Sequence, residues 1–209
     1  MSHQDTGAVI ALRHYSHSKP ITCTFVSGDL ENFFTVRIKG PLGTYINIVK
    51  GDPITFGIID NDNTNVYGGF ILSRNERDIT ISPDMTSFPV ERRKNVRHPV
   101  SLLGSIKRSS DRVGGASPAW IKDISYEGIR ICTECDLEVD DEIVINIFDQ
   151  NRVFNLEGSV IRRSTLFGRN EYGILMTFKY KSSIFSVRDT IDSLVLQEKR
   201  LIISHLSSF

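Results

Sequence analysis

Short apolar segments separated by turn residues recur along almost the whole chain. In the first half, glycine, proline and aspartate separate six such segments, at residues 21–26, 33–38, 44–49, 54–59, 68–73 and 79–82. The second half has six more, at residues 100–107, 119–124, 128–132, 142–148, 153–162 and 172–179. Segments of this length, rich in β-branched and aromatic residues, predict short strands. The chain is therefore predicted to be mainly β, built as antiparallel barrels or sandwiches.

The sequence between the two halves differs from both. Pro83 and Pro89 are followed by a dense basic run that ends at Pro99, and no strand pattern crosses this stretch. Proline-containing segments of this kind mark loops and linkers. We therefore predict one β-barrel domain over residues 1–90 and a second domain over residues 91–209.

The two ends of the chain have patterns of their own. Residues 1–18 are polar and are predicted to be a loose or edge segment. Residues 184–206 carry apolar side chains at helical spacing, which predicts one C-terminal α-helix of about 20 residues. Ser186, three residues before Asp189, is predicted to cap the start of this helix.

The composition excludes several classes of protein. Of 209 residues, 40% are hydrophobic and 24% are charged, which is sufficient for apolar cores. Lys plus Arg and Asp plus Glu both number 25, whereas a generic nucleic-acid or anionic-membrane binder is usually basic. We find no signal-peptide pattern and no apolar run approaching the roughly 20 residues that span a bilayer. Three cysteines are too few for a disulfide framework, so we expect a cytoplasmic protein without membrane insertion.

A basic run lies just before the first strand of the second half. Arg92, Arg93 and Arg97 stand close together there, and Pro99 favours an extended conformation at the residue before it. The run is therefore expected to enter the strand as a loop. Taken alone, such a run is also typical of a solvated linker.

A second motif ends the strand at residues 119–124. Asp123 and Ser125 are two residues apart, so in a strand their carboxylate and hydroxyl point to the same face. Gly128, three residues later, permits a tight turn or the close approach of a ligand. Taken alone, this pattern is also typical of an ordinary strand end.

Together the two motifs resemble the signature of the PilZ domain family, RxxxR followed by [D/N]xSxxG. Arg93 and Arg97 supply the first part, and Asp123, Ser125 and Gly128 supply the second. The resemblance runs from about residue 91 to the C-terminus. It implies that the second domain is a six-stranded PilZ barrel with a C-terminal helix.

The two-domain organisation resembles the flagellar-brake type of PilZ protein. In that type a smaller, split-barrel-like β-barrel precedes the PilZ barrel, and residues 48–52 are similar to that first domain. In the second half, residues 171–174 are similar to a strand of the PilZ domain family that has glycine at the position of Gly173. The resemblance thus implies a split-barrel-like first domain.

The resemblance also implies the ligand, the bacterial second messenger cyclic di-GMP. Arg93 and Arg97 are expected to bind phosphates and the O6 and N7 acceptors of guanine. Asp123 is expected to accept the N1–H and N2–H donors of guanine, Ser125 to assist, and Gly128 to allow approach.

The number of ligands and the response to them are further expectations. Arg92, directly before RxxxR, implies two intercalated ligand molecules per chain. Ligand binding is expected to order the arginine loop, change the inter-domain arrangement and regulate motility through a protein partner such as the flagellar motor. The exposed face of the C-terminal helix is compatible with a homodimer.

Other functions remain as alternatives. The main one is a ligand-free adaptor of the same fold, which usually lacks the arginines or the Asp-x-Ser motif. A flavin enzyme on the first barrel and a single-stranded nucleic-acid binder are less well supported, and neither an enzyme nor a DNA or RNA partner is expected. Neither Cys132-x-x-Cys135 nor His14-x-x-His17 has enough ligands nearby for a metal site. No cofactor is expected either.

Overall fold

The structure is a computed structural model, and it describes residues 7–40, 47–60, 63–84, 95–111, 115–149, 152–178 and 180–209. The chain divides into two compact units, Met1–Glu91 with Gln197–Phe209, and Arg92–Leu196. Within the described residues, each unit contains a closed barrel of six antiparallel strands. The predicted fold class, mainly β with two barrels and a C-terminal helix, is confirmed.

The first barrel is formed by short strands around a core of isoleucine and phenylalanine. Its strands are β1 Val9–His14, β2 Ile21–Gly28, β3 Phe34–Ile38, β4 Pro53–Asp60, β5 Asn63–Asn75 and β6 Asp78–Pro83. They lie in the order β1-β2-β3-β6-β5-β4, and the pairing of β1 with β4 closes the barrel. In the core, the rings of Phe34 and Phe56 meet edge to face with centroids 5.0 Å apart.

The first strand corrects a prediction, because residues 1–18 were expected to be a loose or edge segment. Residues 1–6 lie outside the described residues, whereas Val9–His14 form β1, which pairs with strands on both sides. The polar side chains at the end of β1 have partners inside the protein: His14 Nε2 lies 3.1 Å from Asp52 Oδ2, and Arg13 Nη2 lies 3.4 Å from Glu198 Oε1. These partners are distant in sequence, so the local pattern does not reveal that the strand is buried.

A second correction concerns the strand predicted at residues 44–49. Residues 44–46 lie outside the described residues, and residues 47–49 do not belong to a strand. They lead into a turn in which Val49 N donates to Asp52 Oδ2 at 2.7 Å. Gly51, with φ of 85°, supplies the left-handed conformation of this turn.

The second barrel repeats the topology of the first. Its strands are β7 His98–Arg108, β8 Ser117–Ile124, β9 Gly128–Thr133, β10 Glu142–Asp149, β11 Arg152–Leu166 and β12 Arg169–Thr177. They lie in the order β10-β11-β12-β9-β8-β7, and the pairing of β7 with β10 closes the barrel. Each of the six segments predicted in this half overlaps one strand.

The predicted C-terminal helix is present as α1 Lys181–Leu206. It begins five residues before Ser186, so the prediction that Ser186 caps it is wrong. Ser186 lies inside the helix, where its carbonyl oxygen accepts a hydrogen bond from Thr190 Oγ1 at 2.8 Å.

The two parts of α1 pack on different cores. Ile191 and Leu194 belong to the core of the second barrel. Ile202 and Leu206 pack against Ala11 on β1 in the first unit. The last residues of the helix, predicted with the second domain, are thus grouped with the first unit. The domain limits 1–90 and 91–209 remain a prediction about which parts fold independently.

Candidate ligand-binding site on the second barrel

Asp123 lies near the end of β8, on the side of the strand turned away from the barrel core. Ile121 and Ile124 both belong to that core. The pairing of β8 with β9 shifts between Ile121 and Asp123, which leaves Lys122 as an extra residue on β8. This bulge lets Lys122 and Asp123 both point away from the core, although they are consecutive.

Two arginines contact the Asp123 carboxylate. Arg130 is directly opposite Asp123 on β9, and its Nε and Nη2 both contact Oδ2. Arg97, just before β7, places Nη1 3.4 Å from Oδ1. Asp123 is only 3% exposed, and burial raises the pKa of its carboxyl above the ordinary value, although the charges of Arg130 and Arg97 act in the opposite direction.

A second buried ion pair lies beside the first. Lys122 Nζ is 2.9 Å from Glu171 Oε2 on β12, and both side chains are buried. Glu171 Oε1 is in turn 3.9 Å from Arg130 Nη1. Lys122, Glu171, Arg130, Asp123 and Arg97 therefore form a line of alternating charges with a net charge of +1. An excess of positive charge favours the binding of an anion.

The turn after Asp123 is closed by Ser125 and Gly128. Gly128 N donates to Ser125 Oγ at 3.2 Å, and Ser125 Oγ donates to the Gly128 carbonyl oxygen at 3.1 Å. A Cβ atom on Gly128 would lie 2.6 Å from the carbonyl oxygen of Ile174. Close packing of β9 against β12 therefore accounts for the glycine without reference to a ligand.

A comparison with protein families decides what this barrel is. Residues 91–183, a little under half of the chain, match the family model described as PilZ domain. This part of the chain is a PilZ domain. The resemblance inferred from the RxxxR and DxSxxG motifs is confirmed.

Three solved structures align with more than nine tenths of this chain. Bacillus subtilis inhibitor of motility (MotI/DgrA) has 13% identity and a TM-score of 0.38, with 96% of this chain and 99% of that chain covered. Escherichia coli YcgR in complex with c-di-GMP has 12% identity and a TM-score of 0.44, with coverage of 93% and 86%. The K. pneumonia MrkH–c-di-GMP complex has 16% identity and a TM-score of 0.43, with coverage of 92% and 89%. No curated protein sequence matches the chain significantly.

The predicted site residues of the PilZ domain are only partly within the described residues. Arg92 and Arg93 lie outside them, so their positions stay a prediction. The structure brings Arg97 and Asp123 together although they are 26 residues apart in sequence. Ser125 and Gly128 form the turn that follows Asp123.

The sequence reasoning missed three charged residues of this site: Arg130, Lys122 and Glu171. Arg130 had a detectable signal, because it stands between Ile129 and Ile131 and must face away from the core if both are buried. Lys122 and Glu171 had no comparable signal, since their pairing depends on the bulge in β8.

The turn of the PilZ motif also contacts the helix. Tyr126 Oη donates to Asp192 Oδ1 on α1 at 2.7 Å. The guanidinium of Arg188 lies over the Tyr126 ring, 5.2 Å from its centroid. The segment between Ser125 and Gly128 is thus held against the first half of α1.

Cys132 and Cys135 of the PilZ domain are free cysteines, of which Cys132 is buried and Cys135 is partly buried. Burial raises the pKa of the Cys132 thiol to about 12. The carbonyl oxygen of Cys135 accepts a hydrogen bond from Tyr172 Oη at 3.0 Å.

Among the described residues, no group of three or more His, Cys, Asp or Glu side chains is placed to hold a metal ion. No helix within the described ranges is long and apolar enough to cross a membrane.

Proposed function

We propose that this protein is a cytoplasmic receptor, not an enzyme, that binds cyclic di-GMP through its PilZ domain. The main support for the proposal is the contact between Arg97 and Asp123, which lies beside the turn closed by Ser125 and Gly128. A guanidinium and a carboxylate there offer a donor fork and two acceptor oxygens within one small area. A guanine nucleotide needs both.

The roles of these residues follow from the chemistry of the ligand. Arg97 binds a phosphate or the O6/N7 edge of guanine, and Asp123 accepts the N1–H and N2–H donors. Each charge-assisted hydrogen bond contributes about 1.5–3 kcal/mol. The Arg97–Asp123 contact is long, at 3.4 Å, so giving it up for the ligand costs little.

Arg92 and Arg93 complete the site in this proposal. Arg93 takes the first position of RxxxR, and Arg92 stacks on a guanine of a second ligand molecule. Ordering this loop costs about 1–2 kcal/mol per residue, which offsets much of the binding energy. The expected affinity is therefore micromolar, about −8 kcal/mol, rather than picomolar.

The proposal extends to a change of the whole chain. Ligand bound at the DxSxxG turn acts on α1 through Tyr126 and Asp192, changes the inter-domain arrangement and regulates motility through a protein partner such as the flagellar motor. Small-angle scattering should change when cyclic di-GMP is added. An unchanged profile at saturating ligand would support instead a receptor whose response is local.

Competition binding with labelled cyclic di-GMP tests the proposed ligand. Unlabelled cyclic di-GMP should displace the label, whereas GTP and cyclic di-AMP should not, because neither matches both guanines and both phosphates. Arg97→Ala should abolish binding. Lys107→Ala is the matched control, since Lys107 is an exposed cation at the other end of β7. Equal loss in both variants would indicate nonspecific attraction to positive charge.

The main alternative, a ligand-free adaptor of the same fold, predicts a different result. The folded wild-type protein would then bind no cyclic di-GMP at micromolar concentrations. The presence of both Arg97 and Asp123 in contact favours the receptor.

A further inference from the structure

The two arginines on Asp123 differ in how they are held. Arg130 stands on β9 in direct register with Asp123, directs two N–H groups at one oxygen, and has a side chain 13% exposed. Arg97 precedes β7, reaches the other oxygen with a single nitrogen at 3.4 Å, and is 24% exposed.

Arg130 is also supported from its other side. Glu171 Oε1 lies 3.9 Å from Arg130 Nη1, and Glu171 is itself paired with Lys122 at 2.9 Å. Arg130 therefore lies between two carboxylates on neighbouring strands of a closed barrel. Arg97 does not belong to a strand of the barrel, because it lies just before the first residue of β7.

We infer that Arg130 is a positioning residue that holds the Asp123 carboxyl group in a fixed orientation, and that Arg97 is an exchangeable partner of Asp123 that leaves it for the ligand. This inference depends on the proposed function for its ligand. It assigns to Arg130 a part in guanine recognition that requires no contact between Arg130 and the nucleotide.

The lone pairs of the carboxylate make this division of roles possible. A carboxylate offers about four acceptor positions on its two oxygens. Arg130 directs two N–H groups at Oδ2 and so occupies its acceptor positions. The departure of Arg97 frees Oδ1, whose two acceptor positions can then receive guanine. Guanine needs two adjacent acceptors for N1–H and N2–H.

Removal of Arg130 would leave Asp123 buried, with only Arg97 and Lys122 among the described residues to stabilise its negative charge. Within the part of the chain that the structure describes, the charged groups around Asp123 are Arg130 on β9, Arg97 before β7 and Lys122 on β8, with Glu171 facing from β12. Without Arg130, burial would favour the neutral acid. A protonated carboxyl carries an O–H that opposes the guanine N–H donors, so binding would weaken as the pH falls.

A ligand-free titration tests the inference first. The carboxyl carbon of Asp123 is followed by NMR from pH 3 to 8 in wild type, Arg130→Met and Arg97→Met, with Arg130→Gln as the alternative if Arg130→Met does not fold. Loss of Arg130 should raise the pKa of Asp123 further, and loss of Arg97 should raise it by clearly less. Equal shifts, or a larger shift for Arg97→Met, would overturn the inference.

A double-mutant cycle then tests the route to the ligand. Arg130→Met should weaken cyclic di-GMP binding about ten-fold or more at pH 7, increasingly so at pH 6. In an Asp123→Asn background the same change should cost less than about three-fold, because Arg130 acts through the Asp123 charge. Equal losses in both backgrounds would show that Arg130 contacts the ligand or merely stabilises the fold. If the wild type binds no cyclic di-GMP, the proposed function fails, and the ligand-free titration still decides the role of Arg130.

Discussion

Gly128→Ala tests whether the glycine of the DxSxxG motif is required for packing. The added Cβ would lie 2.6 Å from the carbonyl oxygen of Ile174, a distance that real Cβ atoms do not reach. That oxygen belongs to the backbone of β12, which pairs with β9, so no side chain can rotate to make room. Overpacking of this kind costs about 1–3 kcal/mol, and the reduced entropy of the unfolded chain offsets about 0.4–1 kcal/mol. The expected net loss of unfolding free energy is about 1–2 kcal/mol.

Gly173→Ala is a matched control on β12 of the same barrel. Its Cβ would meet the Cβ of Arg162 at 3.4 Å, which is ordinary van der Waals contact. The unfolding free energy should therefore stay the same or rise by up to about 1 kcal/mol.

Urea denaturation followed by tryptophan fluorescence measures both variants. The chain has one tryptophan, Trp120, and it lies on β8 of the PilZ barrel, so the signal reports this barrel. The midpoint should fall for Gly128→Ala with little change in slope. A Gly128→Ala protein as stable as wild type, but unable to bind cyclic di-GMP, would refute the packing argument and assign Gly128 to the ligand.

Three further perturbations probe other parts of the structure. Glu171→Ala should lower the unfolding free energy measured by urea denaturation by about 3–5 kcal/mol, because it removes the carboxylate that pairs with buried Lys122. A loss below about 1 kcal/mol would contradict burial of this pair. Burial lowers the pKa of His205 below its ordinary value of 6.5, so its contribution to stability is present above pH 6.5 and is lost as the pH falls through the folded-state pKa. His205→Gln should therefore reduce the dependence of the melting temperature on pH between about pH 7 and 5. An unchanged dependence would contradict this. Burial raises the pKa of Cys23 and of Cys132 to about 12, so mass spectrometry should find both resistant to iodoacetamide at pH 8 in the native protein and reactive in urea.

The strands of the second barrel could be predicted because their patterns are local. In β10, Ile143, Ile145 and Ile147 are buried and alternate with residues that face outward. Period-two alternation needs no knowledge of distant residues. The same reasoning placed all six segments of this barrel on strands.

The first strand of the chain could not be predicted in this way. Arg13 and His14 make the end of β1 look exposed, but both are buried. Their partners, Asp52 and Glu198, are far away in sequence. Only the fold shows that these two side chains have buried ionic partners.

The candidate site was predictable as a motif but not as a charge network. The motif resemblance located Arg97 and Asp123, which the structure places in contact. The role of Arg130 depends on the register between β8 and β9, and that of Lys122 on a bulge. Strict alternation would place Lys122 and Asp123 on opposite faces of the strand, so sequence reasoning could not combine them.

Isothermal titration calorimetry of the full chain with cyclic di-GMP, beside Arg97→Ala, tests the receptor proposal most directly. We expect micromolar or tighter binding by the wild type and none by Arg97→Ala. A stoichiometry near two would support the role proposed for Arg92, and one near unity would refute that role alone. Absence of heat and of binding with the folded wild-type protein would contradict the receptor proposal and favour the ligand-free adaptor.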